Sequence, residues 1–250
     1  MTTIDVTTAQ RFVAELELAE TPRALAELSH TPITLTTEKS AAVDDGSIVC
    51  FADGLDIVHK QDVLNSTLLA QLAASNKYDR ETETEEWYGY YKHVLENVGW
   101  VTSEWRFSKY EASTASFHID TVILQILVAI ATGNELALAI ATLEALKKSS
   151  DSRAGKLFET QSHGLSNGSF QMGCASPNGD NVGMALAAFH FSTTSRITKI
   201  LWTDFNATQT KLYQGGQTVV LNEQLYSVIR ADVIKKLGDK AKQFVADIEI

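Results

Sequence analysis

The amino-acid sequence predicts an α+β protein with a layered α/β arrangement, in which N-terminal and central helices pack on a mainly antiparallel sheet and a C-terminal helix closes the chain. Helically spaced apolar residues dominate the first 160 positions, and strand-like segments separated by turn residues dominate 162–221. An amphipathic segment follows them. Because no Pro- or Gly-rich linker and no internal repeat divides the chain, residues 1–250 are predicted to form a single globular domain.

The N-terminal elements are predicted from apolar spacing and from turn residues. Phe12, Val13 and Leu16 recur at helical spacing, and Pro22 suits the first turn of a second short helix. The predicted helices span Thr7–Ala19, Thr21–Leu28, Asp56–Ser75 and Thr82 or Thr84 to Asn97, and the predicted strands span Ile33–Thr37 and Ser47–Phe51.

The central segment is predicted to be mainly helical. Trp100–Tyr110 alternates loosely, with Val101, Trp105 and Phe107 as strand-like anchors. The helices predicted after it span His118–Thr132, Asn134–Lys148 and Asp151–Thr160, and Asn134 is expected to cap the second of them.

The C-terminal part is predicted to be an antiparallel meander, because clusters of Gly, Asn, Asp, Ser and Thr separate four strand-like segments. The predicted strands are Phe170–Cys174, Val182–Ser192, Ile197–Asn206 and Lys211–Val220. A closing helix is predicted at Asn222–Leu237, ended by Gly238, with a final turn through Phe244 and Ile248.

Thr121–Leu146 is the most apolar stretch of the chain and is predicted to form two helices joined at Gly133-Asn134. Its longest uncharged run, Thr121 to Asn134, has 14 residues, whereas a spanning helix needs about 20 apolar residues. A helical hairpin inside the fold is the favoured interpretation. The alternative is a segment that inserts into a bilayer after a conformational change.

Charge and composition exclude several classes of function. A formal net charge of −10 repels phosphate backbones and makes nucleic acid an unsuitable partner. Two cysteines are too few for a disulfide framework or a thiolate zinc site, and no metal or other cofactor is expected. The N-terminus lacks signal-peptide features, so the protein is predicted to be cytoplasmic or exported by another route, with membrane association left open.

Cys174 is the best candidate for chemistry. Gly173, Ala175 and Ser176 flank it with small side chains that leave a thiol approachable. Three interpretations remain open: a small buried core residue, an S-acylated residue, or a nucleophile activated by His163 or His190. Cys50 is predicted to lie in the core.

The other candidates favour structural roles. His118 and Asp120 lie two positions apart on a helix and do not converge on one ligand, so a helix cap is favoured. Four glutamates look like a solvated helix start, and four tryptophans look like core anchors. These residues are Glu81, Glu83, Glu85, Glu86, Trp87, Trp100, Trp105 and Trp202.

Trp87-Tyr88-x-x-Tyr91, Gly99-Trp100, Gly173-Cys174-Ala175 and the layout of residues 55–250 resemble the Erwinia virulence factor Evf family of palmitoylated bacterial proteins. The resemblance implies an α/β protein whose cysteine carries a palmitoyl thioester, with the acyl chain in an apolar cavity, and a role in bacterial persistence in an insect gut. Carried over, the lipid attachment falls on Cys174.

The first functional hypothesis is therefore a non-enzymatic virulence or host-colonisation protein, acylated on Cys174 by a covalent palmitate and reversibly associated with a lipid or membrane surface. The second is a membrane-inserting toxin, pore-forming or insecticidal, that uses the 121–146 hairpin. The third is a cysteine-dependent acyl hydrolase or transferase. The sequence identifies no host protein partner. Predicted lining residues of the acyl cavity are Ile126, Ile130, Leu136 and Ile140.

Overall fold

The described residues of a computed structural model, 6–26, 33, 35–104 and 106–250, form a central sheet with helices on both faces. The helices are α1 Val6–Glu15, α2 Arg23–Ala26, α3 Ile57–Lys77, α4 Thr84–Asn97, α5 Ile119–Ile130, α6 Gly133–Lys148, α7 Arg153–Ser162, α8 Glu223–Leu237 and α9 Lys240–Phe244. The strands are β1 Ser40–Asp44, β2 Ser47–Phe51, β3 Trp100–Val101, β4 Ser108–Lys109, β5 Ser116–His118, β6 Asn167–Asn178, β7 Asn181–Thr193, β8 Asp204–Asn206, β9 Thr210–Leu221 and β10 Val245–Ile248.

The main sheet has the strand order β10-β1-β2-β6-β7-β9-β3, with β4 also paired to β9. Its pairings are antiparallel apart from β2 with β6, which run parallel and place Cys50 opposite Cys174. Strands β5 and β8 form a separate antiparallel pair. The predicted α+β class with a mainly antiparallel sheet is confirmed.

Each face of the sheet is covered by its own helices. On one face α5 crosses β7 and β9, α6 crosses β2 and β6, and α7 contacts β1, β6 and β10. On the other face α3 packs against α4, α8 and β1, and α8 also contacts α1. Because both faces are covered, the long strands β6 and β7 are buried along most of their length.

Several predicted element positions differ from the structure. The described residues of the predicted strand Ile33–Thr37 lie outside any strand. The antiparallel partner of β2 is instead β1, a short segment that follows them. Ile197–Asn206 contains a short 3₁₀ turn and only the three-residue β8, which pairs away from the main sheet. Residues 27 and 28 of the predicted second helix, and Trp105, lie outside the described residues.

The N-terminus of α6 also differs from its prediction. Thr132, not Asn134, is the cap: its Oγ1 accepts the N–H of Glu135, and the Glu135 side chain accepts the N–H of Thr132. This reciprocal arrangement satisfies two backbone donors that the helix itself leaves unpaired. The apolar hairpin therefore has a defined corner between α5 and α6.

Candidate functional site

The α5–α6 hairpin lies flat on the sheet face that carries both cysteines. Its inward side chains are buried, and the largest are Ile119, Val122, Ile123, Leu127, Leu138, Leu143 and Leu146. Within α5 the one charged residue is Asp120, in the first turn. The predicted placement of this hairpin inside the fold agrees with these contacts.

The outward side of the hairpin remains partly apolar. Val128 is 63% exposed and Ile140 is 39% exposed, so two large aliphatic side chains face solvent. The residues predicted to line an acyl cavity occupy two environments: Ile126, Ile130 and Leu136 are half-buried against the core, and Ile140 points outward. Their role in binding an acyl chain stays a prediction.

Polar contacts hold the hairpin in place. Lys147 Nζ lies 2.5 Å from Asp120 Oδ2 and so joins the end of α6 to the start of α5. Ser176 Oγ donates to Glu135 Oε1 at 2.7 Å, which joins α6 to β6. His118 occupies the predicted N-cap position of α5 but makes no side-chain capping bond, while Asp120 Oδ1 accepts the N–H of Thr121 in the first turn and Oδ2 forms this ion pair.

Cys50 and Cys174 form a pair of free thiols beneath α6. Both are fully buried, they are register partners on neighbouring parallel strands, and Cys50 Sγ donates to Thr142 Oγ1 of α6 at 3.4 Å. The hydrogen bond with Cys50, together with burial, raises the pKa of the Cys174 thiol well above its usual value. In this structure Cys174 is a protonated core residue and a poor nucleophile.

The structure does not bring the predicted histidines to Cys174. His190 pairs with Ser169 in the β6–β7 register, and alternation along β6 places that pair on the sheet face opposite Cys174. His163 lies where α7 joins β6, with Nε2 2.8 Å from Glu159 Oε2. Among the described residues, neither of the two histidines predicted to activate Cys174 is therefore placed beside its thiol.

Sequence reasoning missed a polar cluster around Arg80, at the turn between α3 and α4. The Arg80 guanidinium donates to Gln71 Oε1 at 2.7 Å and to Gln171 Oε1 at 2.9 Å, and pairs with Asp45 at 3.4 Å. It also lies over the Trp87 ring, 4.3 Å from the ring centroid. No local motif marks these residues, because they come from four separate segments of the chain.

Neither a metal centre nor a spanning helix is found among the residues that the structure describes. No group of three or more His, Cys, Asp or Glu side chains there is placed to hold a metal ion. No helix in the same residues has the length and apolar character needed to cross a bilayer.

Comparison with protein-family models gives no match, and comparison with curated proteins gives none. Among solved structures, the chain is similar to a delta-endotoxin, with 11% identity, a TM-score of 0.43, and coverage of 78% of this chain and 88% of that chain. It is also similar to the activated Cyt2Ba monomer from Bacillus thuringiensis subsp. israelensis, with 11% identity, a TM-score of 0.30, and coverage of 52% and 78%.

A third similar structure is that of the Evf virulence factor, with 13% identity, a TM-score of 0.34, and coverage of 81% of this chain and 84% of that chain. The resemblance to this family that the sequence predicts is confirmed as a weak structural similarity. Similarity of this size transfers no activity from those proteins to this chain.

Proposed function

We propose that this chain is a virulence-type or toxin-type protein that acts at lipid membranes through its α5–α6 hairpin. The observation that carries the proposal is the hairpin itself: an almost uncharged helix and its partner cover the sheet, and they already present Val128 and Ile140 to solvent. Exposed aliphatic side chains on an otherwise buried apolar element favour contact with a lipid surface.

The hairpin stays docked in water because of the apolar surface that it buries. Its seven large inward side chains each contribute about 1.5–3 kcal/mol by burial, or roughly 10–20 kcal/mol together. That sum is at least as large as the net stability of an ordinary domain, about 5–15 kcal/mol. Release of the hairpin from the sheet therefore requires another apolar environment for these side chains, and a bilayer interface supplies one.

The lengths of the two helices determine how the hairpin would meet lipid. Helix α5 has 12 residues and α6 has 16, which correspond to about 18 Å and about 24 Å at 1.5 Å per residue. The hydrocarbon core of a bilayer is about 30 Å thick. We therefore propose that the hairpin lies in the interface, with its apolar side chains directed into the acyl chains.

A charge on the outward face of the hairpin tests the proposal. Leu127 is unsuitable because it is buried, whereas Val128 is exposed and accepts a charge without loss of the fold. We expect Val128→Glu to weaken binding to phosphatidylcholine vesicles about tenfold in a flotation assay. Val228→Glu, at a 48% exposed position of α8 on the opposite helix layer, is the matched control and should bind like the parent.

Labelling of the two buried thiols reports whether the hairpin leaves the sheet. Because Cys50 and Cys174 lie beneath α6, a maleimide reagent should modify them slowly in buffer and rapidly when vesicles are present. Absence of vesicle binding by the parent protein would refute the proposal, as would equal effects of Val128→Glu and Val228→Glu. Binding without thiol exposure would refute the release of the hairpin.

S-acylation of Cys174 is a second candidate, supported by the position of this thiol under the same helix. Any step that lifts α6 exposes Cys174. Its Sγ can then attack the carbonyl carbon of an acyl thioester donor: the Sγ–acyl bond forms, the donor's acyl–sulfur bond breaks, and the donor leaves as a thiol carrying the proton that Cys174 loses. The test is the intact mass of protein from its native source before and after hydroxylamine. A loss of the acyl mass is expected in Cys50→Ser and not in Cys174→Ser, and an unchanged parent mass would remove this candidate.

A further inference from the structure

The two cysteines of the chain lie side by side in the central sheet. Cys50 of β2 and Cys174 of β6 are register partners where these strands run parallel. Neighbouring strands are about 4.8 Å apart, and a disulfide requires its two Cα atoms to be about 4.4–6.8 Å apart. The backbone therefore holds the two residues at a separation that a disulfide accepts.

The two side chains also point to the same face of the sheet, the face that α6 covers. Cys50 Sγ donates to Thr142 Oγ1 of α6 at 3.4 Å. A hydrogen bond with Cys50 favours the protonated form of Cys174 and raises its pKa, so the two sulfur atoms are in contact. To form a bond they need side-chain rotation and no rearrangement of the sheet.

Helix α6 shields this pair of thiols from reagents in solution. Both residues are fully buried, and the raised pKa of Cys174 keeps its thiol protonated, whereas the thiolate is the form that attacks a disulfide. Helix α6 packs on β2 and β6, but those strands pair through their own backbone hydrogen bonds. When α6 moves away, the thiols become accessible while the strands still hold the two sulfur atoms together.

We propose that Cys50 and Cys174 are a dithiol site that a low-molecular-weight disulfide oxidises to a reversible disulfide within the chain. One cysteine Sγ attacks a sulfur of the small disulfide, so a mixed disulfide forms and the first small thiol leaves with the proton of that cysteine. The second Sγ then attacks the protein sulfur of the mixed disulfide. The Cys50–Cys174 bond forms, and the second small thiol leaves with the remaining proton. The protein loses two electrons, which reduce the small disulfide to its two thiols.

This disulfide and an acyl thioester on Cys174 exclude each other, because both use the same sulfur atom. Displacement of α6 therefore opens the site to two competing modifications, oxidation and acylation. That the displacement occurs at a membrane rests on the proposed function, whereas the pairing of the two thiols does not.

Reaction of the folded protein with dithiodipyridine, a small aromatic disulfide, tests the pair without any membrane. After prolonged incubation in buffer, we expect two pyridinethione molecules to be released per chain and the protein mass to fall by two hydrogen atoms. Proteolysis should then yield two peptides joined through Cys50 and Cys174, which dithiothreitol separates. Pyridyl groups left on both sulfur atoms of the parent, or a disulfide between two chains, would overturn the proposal.

A matched variant moves one thiol to the other face of the sheet. Val49→Cys/Cys50→Ser places the thiol one position earlier on β2, opposite Gly173, where strand alternation directs it away from Cys174. Both thiols of this variant should keep their pyridyl groups, with a disulfide yield at least about tenfold below that of the parent. Equal yields would overturn the proposal. If this variant fails to fold, Cys50→Ser should retain a single pyridyl group on Cys174.

Phosphatidylcholine vesicles separate this proposal from the proposed function. If the hairpin leaves the sheet, vesicles should speed disulfide formation about tenfold or more, because the thiols are then exposed. A disulfide that forms equally fast with and without vesicles would support the pair and contradict release of the hairpin. Rapid addition of pyridyl groups in the presence of vesicles, without a disulfide, would overturn the pair and leave release of the hairpin intact.

Discussion

Asp44 and Asp45 lie at the turn between β1 and β2, and both side chains are buried. Asp44 Oδ2 accepts from Thr67 Oγ1 at 2.6 Å, but its Oδ1 has no hydrogen-bond partner. Burial raises the pKa of Asp44 well above its ordinary value, and it also raises the pKa of Asp45 despite the Arg80 guanidinium. These carboxyl groups therefore favour the fold most when they are protonated.

The burial of these carboxyl groups determines whether the free energy of unfolding rises or falls with pH. A carboxyl group with a raised folded pKa binds more protons in the native state, so its contribution to stability is lost as pH rises from the unfolded pKa, about 3.9, through the folded one. We expect Asp44→Asn to flatten this part of the profile and to be at least as stable as the parent at pH 7. Urea unfolding at intervals from pH 4 to pH 8 measures both effects.

The control for Asp44→Asn is Asp180→Asn, which removes the same charge from the exposed turn between β6 and β7. It should leave the slope of stability against pH nearly unchanged. A parent protein whose stability rises steadily from pH 4 to pH 8 with a slope that Asp44→Asn leaves intact would contradict the assignment.

Helix α5 approaches β9 closely at Gly216. A Cβ added at Gly216 would lie 2.8 Å from Ile126 Cγ2 and 3.0 Å from Ile130 Cδ1, so the absence of a side chain allows the helix to rest on the strand. On the other face of the same strand, a Cβ at Gly215 would lie 2.9 Å from the Arg106 carbonyl oxygen. The two adjacent glycines thus let α5 approach β9 from one face of the sheet and the chain at Arg106 approach it from the other.

Gly216→Ala should lower the free energy of unfolding by about 1–3 kcal/mol, because the added methyl group overpacks the contact with α5. It should also speed maleimide labelling of Cys174 in buffer, since α5 and α6 pack against each other and a displaced α5 loosens the cover over this thiol. Gly133→Ala, at an open position in the first turn of α6, should be neutral or stabilising. Equal stability of the two variants in urea would contradict this account of the hairpin contact.

The reciprocal hydrogen bonds between Thr132 and Glu135 at the start of α6, a capping box, give a second prediction about the hairpin. Thr132→Ala removes the acceptor of the Glu135 N–H and should cost about 1 kcal/mol in urea unfolding. Thr132→Ser retains the hydroxyl and should recover most of that loss. A Thr132→Ser variant as unstable as Thr132→Ala would show that the methyl group, and not the cap, matters.

The helix layer opposite the hairpin is joined by a buried ion pair. Arg230 of α8 donates to both carboxylate oxygens of Asp62 of α3, at 2.8 Å and 2.7 Å, and also contacts Glu223 at 2.6 Å. Burial raises the pKa of Asp62 even with this partner, whereas Asp62 raises the pKa of Arg230. The raised pKa of Asp62 means that burial disfavours its ionised form, whereas the raised pKa of Arg230 means that its charge is favoured. The ion pair therefore orders the helix layer at a substantial desolvation cost.

Arg230→Met should therefore cost about 3–5 kcal/mol at pH 7, because it leaves the Asp62 carboxylate buried and unpaired. The loss should shrink on acidification, since protonation of Asp62 removes the buried charge. The double variant Asp62→Met/Arg230→Met should regain most of the stability. A double-mutant cycle in urea measures the coupling, and additive losses would exclude a direct interaction between the two residues.

Patterns within single segments determined a large part of this protein. Helical spacing of apolar residues predicted α3, α4, α6 and α8 to within a few residues. Helices α4 and α8 each bury one face, whereas α3 is buried on nearly all sides from Asp62 to Ala74. The β-branched and aromatic runs predicted β6, β7 and β9 for a similar reason. Where local signals were weak, strands were predicted at the wrong place or length: Ile33–Thr37 was predicted instead of β1, and Ile197–Asn206 is much longer than β8. Such short strands are determined by their pairing partners, which the local sequence does not identify.

What the sequence by itself determined is the class of the fold, the apolar hairpin and the acidic charge, since spacing and composition act along the chain. Only the tertiary structure decided that Cys174 lies against Cys50 beneath α6, that His190 occupies the opposite sheet face, and that Arg80 binds buried polar groups from separate segments in one cluster. These arrangements join residues far apart in the chain. The energies of these contacts depend on burial and on the distances between side chains. Both are determined only when the helices have packed against the sheet.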